Sequence, residues 1–204
     1  RYNIKVSFIK RIEMPNSNTI NHIFDIVSNP RFINMEGLSG EIPFWVAPYD
    51  ISEENKVETE IKHFIKKLKT NGLKPLCIDL FELSCEIIEE NIGMEELKQI
   101  ELDLDKSFFL DALQSTINIH DRFIPAIGQK VKEANPQMLF LKGVGKVYPF
   151  IRSHIVLNNL QSEIKDIPTL MFYPGEYSGR TLKLFNLLED DNYYRAFNIY
   201  TYKL

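Results

Sequence analysis

The chain has 204 residues, of which 44% are hydrophobic and 25% charged, a composition typical of a globular protein with a sizeable core. Its net charge of -4 argues against nucleic-acid binding as the main role, because such proteins must neutralise phosphates. The two cysteines fit no disulfide framework or Cys-x-x-Cys motif, and no apolar run reaches the roughly 18 residues of a membrane helix. We therefore expect a soluble, cytoplasmic protein.

The chain order predicts an N-terminal extension or arm over residues 1–17 and a single α/β domain over 18–204. Short apolar runs bounded by turn residues predict strands, and 3.6-residue periodicity with capping residues predicts helices. The strands are predicted at 42–48, 73–80, 138–141, 169–173 and 197–200. The helices are predicted at 19–28, at 52–70 with Ser52 as the cap, and at 148–160 with Pro149 in the first turn.

Residues 81–134 are predicted to be helical nearly throughout, with breaks near Gly93, Asp103 and Pro125. This stretch is longer than a simple crossover requires, so it predicts a helical insertion beside the sheet. Strands that alternate with helices indicate parallel βαβ units. The expected fold is therefore α/β and Rossmann-like, with a mostly parallel open sheet flanked by helices.

Ligands bind beyond the carboxyl ends of the strands in such sheets, which makes the loops that follow the strands candidate sites. The loops offer Tyr49 and Asp50, then Asp79, then Gly143, Gly145 and Lys146, and then Glu176 and Arg180. The loop 143–146 lies where a phosphate-binding loop would lie, but the pattern G-x-x-x-x-G-K-[ST] fails at Phe140 and Val147. A tight turn is the favoured interpretation, and binding of one anion at a helix N-terminus stays open. The ligand-binding candidates are Asp79, Gly143, Gly145, Lys146 and Glu176.

Conventional catalytic and metal-binding patterns are not recognisable. Ser153 and His154 are adjacent, but the glycines of the elbow G-x-S-x-G are missing around Ser153. The four histidines, at 22, 63, 120 and 154, match no metal-ligand spacing. We therefore assign no catalytic residue, no metal site and no cofactor.

Four blocks of the C-terminal half resemble the BrxB family in order and spacing. They span residues 140–154, 157–161, 171–177 (Met-Phe-Tyr-Pro-Gly-Glu-Tyr) and 190–197 (Asp-Asp-Asn-Tyr-Tyr-Arg-Ala-Phe). BrxB proteins are components of BREX, a bacterial phage-defence system, so the resemblance implies a role in antiviral defence. It also implies action through other BREX proteins, with the phosphatase-superfamily subunit PglZ as the favoured partner, and it carries over no catalytic activity.

Three hypotheses follow, and we favour a non-enzymatic assembly subunit that docks a larger partner through the 174–180 loop and the acidic run at 189–191. The candidate partner-binding residues are Arg152, His154, Tyr177, Arg180, Asp190, Asp191, Tyr193, Tyr194 and Arg195. The alternative is a nucleotide- or phosphate-binding protein that uses the 143–146 loop, with weak hydrolysis as a further option. A third hypothesis, direct DNA binding through a basic helix end at residues 62–69, is disfavoured by the acidic balance.

Overall fold

The computed structural model describes residues 17–38, 42–190 and 196–203. Within them lies an open sheet whose main strands run parallel in the order β2-β3-β4-β1-β7. A short antiparallel extension, β5 and β6, continues from the far end of β4. The strands are β1 (Phe44–Tyr49), β2 (Pro75–Asp79), β3 (Met138–Lys142), β4 (Thr169–Tyr177), β5 (Leu182–Leu184), β6 (Leu188–Asp190) and β7 (Phe197–Asn198).

Helices cover both faces of this sheet, because its central strands are apolar on both sides. The helices are α1 (Ser17–Val27), α2 (Pro30–Ile33), α3 (Glu54–Thr70), α4 (Leu80–Asn91), α5 (Met94–Asp103), α6 (Lys106–Ile117), α7 (Ile124–Ala134) and α8 (Ser153–Glu163). The first three helices share one buried apolar cluster with Trp45 and Phe140. Helices α4, α7 and α8 share the other cluster with Leu139 and Leu141. The predicted α/β class and mostly parallel open sheet are confirmed.

The helical stretch between β2 and β3 consists of α4 to α7. A π-helical turn at Ile119–Phe123 lies between α6 and α7. The breaks in the helical stretch lie near Gly93 and Asp103, as predicted, but the third was misplaced. Pro125 lies in the first turn of α7, where its missing N–H needs no partner, and the chain bends instead at Asn118, whose φ is +36°.

Two local predictions around the loops were wrong. Residues 174–177 are not a loop, because β4 continues to Tyr177 and pairs with β5. The predicted helix at 148–160 begins only at Ser153, after a series of turns that includes a cis Tyr148–Pro149 bond. A smaller difference concerns α3, where Asp50 rather than Ser52 caps the preceding 3₁₀ turn by accepting the Ser52 N–H at 2.7 Å.

Some predictions concern residues outside the described part of the chain: most of the N-terminal arm (1–16) and the partner-binding candidates Asp191, Tyr193, Tyr194 and Arg195. Across the ranges that are described, no helix is long and apolar enough to cross a membrane.

Candidate functional site

Charged side chains meet where β2 and β3 end. Asp79 is the last residue of β2 and Lys142 the last residue of β3, and the two are register partners in this parallel pair. The carboxyl ends of parallel strands lie at one edge of the sheet, so the register alone places these two side chains together. Glu58, from the second turn of α3, and Lys146, from the loop after β3, complete a four-residue cluster, which we call the strand-end cluster.

The strand-end cluster is a chain of ion pairs. Lys142 Nζ lies 2.8 Å from Asp79 Oδ2 and 2.9 Å from Glu58 Oε2. Lys146 Nζ lies 2.6 Å from Glu58 Oε1. Each lysine thus has a carboxylate partner, and two carboxylates balance two ammonium groups.

The ion pair between Asp79 and Lys142 is largely buried, whereas Lys146 is partly exposed to solvent. The side chains of Asp79 and Lys142 are 4% and 14% exposed, whereas that of Lys146 is 42% exposed. Burial alone would lower the pKa of Lys142, but the hydrogen bonds to Asp79 and Glu58 outweigh it and raise that pKa. Burial likewise acts to raise the pKa of Glu58, and the hydrogen bonds from Lys142 and Lys146 reverse this, so the pKa is lowered.

Asp79 also begins the helix that follows it. Its Oδ1 accepts the backbone N–H groups of Phe81 at 2.9 Å and Glu82 at 3.3 Å, which caps the N-terminus of α4. Gly143 lies directly against this carboxylate. It has a φ of +79°, and a Cβ built on it would collide with Asp79 Oδ1, so the position requires glycine for both conformation and space.

The second glycine of the loop serves packing against the neighbouring hairpin. A Cβ on Gly145 would lie 2.8 Å from a ring carbon of Phe185 and 3.1 Å from Pro174. The loop 143–146 therefore rests on the β4–β5 hairpin. The helix expected to follow it, with an anion-binding N-terminus, begins ten residues after Gly143 at Ser153.

The remaining ligand candidate, Glu176, does not join the strand-end cluster through any described contact. Its exposed side chain lies on β4 opposite Lys183 of β5. The cluster contains instead two residues that the sequence analysis did not assign, Glu58 and Lys142. Lys142 is predictable from its place at a strand end, whereas Glu58 reads in the sequence as one of several acidic residues early in α3.

The candidate partner-binding residues are divided between surface and core. Arg180 is exposed in the turn after β4, and Arg152 is exposed with its guanidinium 6.0 Å from the Tyr148 ring centre. His154 is half-buried in the first turn of α8. Tyr177, in contrast, is buried, and its hydroxyl donates to the Ala196 carbonyl at 2.7 Å, which ties the segment before β7 to β4.

Three aromatic residues near the C-terminus contribute to packing in this chain. The rings of Phe197 and Tyr202 lie 5.8 Å and 5.3 Å from the Trp45 ring. Tyr200 packs against the same apolar cluster, and burial raises its pKa.

The ion pairs of the strand-end cluster connect β2, β3 and α3. A phosphate site needs cationic groups that are free to meet the anion, but both lysines here already bind carboxylates. In the described ranges, no group of three or more His, Cys, Asp or Glu residues could hold a metal ion. The arrangement fixes the ends of β2 and β3 to each other and to α3.

Comparison with known proteins assigns the family. The family model described as BREX protein BrxB matches residues 76–199. The chain belongs to the BrxB family. The match to the BrxB model includes Asp79, Lys142 and Lys146 but not Glu58, and it covers all four sequence blocks that carried the resemblance.

Two curated proteins are similar over most of their length. The chain is 34% identical to a BREX protein BrxB of Bacillus cereus (strain H3081.97) over 184 residues, which cover 88% of this chain and 95% of that protein. It is 29% identical to a BREX protein BrxB of Escherichia coli O9:H4 (strain HS) over 173 residues, 85% of this chain and 86% of that protein. No solved structure matches the chain.

Proposed function

We propose that this member of the BrxB family is a non-catalytic assembly subunit of the BREX phage-defence system, which acts by binding a larger partner such as PglZ. Membership of the family supports the role in BREX. The neutral strand-end cluster favours a binding role over catalysis, because the charged groups at the usual place of a ligand site are engaged with one another.

The observation that carries the proposal is an exposed apolar hairpin tip. Phe185 and Asn186, in the turn between β5 and β6, have φ values of 55° and 60°. Positive φ at both central residues is typical of a type I′ β-hairpin turn. Leu187 at this turn is 78% exposed and Leu188 is 39% exposed. Two adjacent exposed leucines in a turn flanked by charged residues support a contact surface there.

Charged residues surround the hairpin tip. Lys183 lies 3.3 Å from Glu189 across the β5–β6 pair, and Arg180 is exposed in the preceding turn. An apolar centre with a charged rim is the usual composition of a protein interface. In such an interface the rim charges set specificity and association rate more than affinity.

Co-purification tests this proposal directly. The chain is mixed with tagged PglZ and, separately, with each other BREX protein at low and high salt, and we expect a stable complex with PglZ. Leu187→Ser should weaken the complex about tenfold or more, as loss of an anchoring apolar side chain does. Leu102→Ser is the matched control, because Leu102 on α5 is 80% exposed and lies outside the hairpin.

Charge reversal tests the charged residues that the sequence predicts for docking. Arg180→Glu combined with Asp190→Lys and Asp191→Lys should weaken binding and reduce its salt dependence. Unchanged binding by both the Leu187 and the charge-reversal variants would exclude the hairpin as the docking surface. Absence of a complex with every BREX protein would overturn the assembly role itself.

The phosphate-binding alternative has a separate test. A nucleotide bound at the 143–146 loop stabilises the folded state by mass action, so ATP or GTP would raise the melting temperature. We expect no such rise, because Lys146 is held by Glu58, and a rise that Lys146→Met abolishes would favour the alternative.

A further inference from the structure

Strand β2 is the outer strand on one side of the described sheet. It pairs with β3 and with no other described strand. Just before β2, Lys74 accepts the Gln137 N–H and donates its own N–H to the Gln137 side chain, each at 2.9 Å, on the β3 side. Because backbone groups alternate between the two sides of a strand, those of Leu76 and Ile78 face β3. Those of Cys77 therefore face the open edge.

A groove runs along this open edge. It has a volume of about 430 Å³ and lies between β2, the first turns of α4 and the last turns of α7. The apolar residues that line it are Leu76, Cys77, Ile78, Leu83 and Ala134. Exposed strand edges are normally blocked by a charge, a proline or a covering element. Here only Pro75 at the start of β2 blocks the edge within the described chain.

The rim of the groove is acidic. Glu82 and Glu86 on α4 and Glu133 on α7 line it together with a single lysine, Lys130. Lys130 is itself paired with Glu86 at 2.7 Å, so Glu82 and Glu133 leave an excess of negative charge. Asp79 at the end of the groove is already neutralised by Lys142.

We propose that the β2 edge is a docking site for an extended, basic segment of a partner protein, which adds to the sheet as a further strand. The open N–H and C=O of Cys77 supply main-chain hydrogen bonds, and the groove accepts alternate apolar side chains. Lysine or arginine residues of the segment meet Glu82 and Glu133. The five residues of β2 match a segment of about five residues, since both strands rise by about 3.3 Å per residue.

The charge of the rim selects this occupant over two others. Pairing of β2 with β2 of a second copy would bring two acidic rims together, and like charges across a strand pair are destabilising. A nucleic acid would meet carboxylates instead of the cations that it requires. The site is also independent of the hairpin tip, because β2 lies two strands away from β4.

The test uses the full chain labelled with ¹⁵N and three synthetic probe peptides. The first is Ser-Lys-Val-Lys-Val-Lys-Ser, the second has glutamate in place of each lysine, and the third is the lysine peptide with an N-methyl group on each of residues two to six. We expect the lysine peptide to shift the amide signals of Cys77 and Asp79 and to bind at least about tenfold more tightly than the other two. Binding of the N-methylated peptide with equal affinity would overturn strand addition, because that peptide cannot complete the ladder.

Charge variants locate the site. Glu82→Lys combined with Glu133→Lys should weaken binding of the lysine peptide about tenfold or more, because the reversal replaces two attractive contacts with like-charge repulsion. Glu96→Lys combined with Glu101→Lys is the matched control, because both glutamates are exposed on α5 and neither lines the groove. Equal weakening by the two double variants, or amide shifts that do not include β2, would overturn the proposal.

Discussion

Lys142 Nζ lies 2.8 Å from Oδ2 of Asp79, its register partner across the β2–β3 pair. The other oxygen of Asp79 caps α4. One carboxylate thus joins the end of a strand, the start of the next helix and the end of the neighbouring strand. Its removal affects three elements at once.

Asp79→Ala should lower the free energy of unfolding by about 2–4 kcal/mol, because it removes a helix cap and leaves a largely buried lysine with one partner fewer. Urea denaturation monitored by circular dichroism measures the loss. Asp105→Ala is the matched control, since Asp105 caps α6 through Ser107 and Phe108 but forms no ion pair with any residue that the structure describes. Equal losses in the two variants would show that the Lys142 pair contributes nothing to stability.

Gly143→Ala should be more destabilising than Gly72→Ala. Both glycines have a φ near +80°, but a Cβ meets Asp79 at position 143 and open space at position 72, just after α3. The left-handed conformation costs a non-glycine residue about 1 kcal/mol or more at either site. The Asp79 contact adds to that cost only at Gly143. Chemical denaturation of both variants gives the comparison, and similar losses would contradict the proximity of Gly143 to Asp79.

The sheet and its helices were predictable because their signals are local. The strands predicted at 73–80 and 138–141 agree with β2 and β3 to within two residues at each end, and the cap predicted at Ser52 lies two residues away, at Asp50. The extension of β4 through Pro174 and Gly175 was not predictable from the same signals, since both residues are typical of turns. A Cβ on Gly175 would collide with the Lys183 carbonyl, so the glycine is there to let β5 approach.

The strand-end cluster was only partly predictable for a different reason. Asp79 and Lys146 are marked by their places after strands, but Glu58 comes from α3, 84 residues before Lys142. Its selection from the acidic residues of α3 depends on how that helix is rotated above the sheet. No pattern within the helix gives that rotation, because Glu54 and Glu58 lie on the same side, one turn apart.

Glu58 should make stability sensitive to acid. Because its pKa in the folded state lies below the ordinary value of 4.5, its contribution is present above about pH 4.5 and is lost as the pH falls through the folded pKa. The parent chain is therefore more stable than Glu58→Gln at pH 5, and this difference in unfolding free energy should shrink as the pH falls to 3. Urea titrations at a series of pH values measure it.

The two lysines provide the control for Glu58. In a chain that carries Lys142→Met and Lys146→Met, burial alone acts on Glu58 and raises its pKa. Relative to its Glu58→Gln counterpart, that chain should then gain stability as the pH falls, because protonation removes the cost of the buried charge. A decrease that persists in this background would assign the acid sensitivity to another group.

Cys77 should be a slow nucleophile despite its place at the open edge of β2. Burial raises its pKa to about 11, so only a small fraction is thiolate at neutral pH, and the thiolate is the reactive form. In Cys85→Ser, the rate of alkylation by iodoacetamide should rise about tenfold per pH unit towards pH 11, as followed by mass spectrometry. A rate that levels off below pH 9 would contradict this.

The same alkylation reaction tests the proposed docking groove, because Cys77 lines the groove and Cys85 does not. The lysine peptide should slow alkylation of Cys77 in Cys85→Ser and leave alkylation of Cys85 unchanged in Cys77→Ser. This comparison separates occupancy of the groove from a general effect on thiol reactivity.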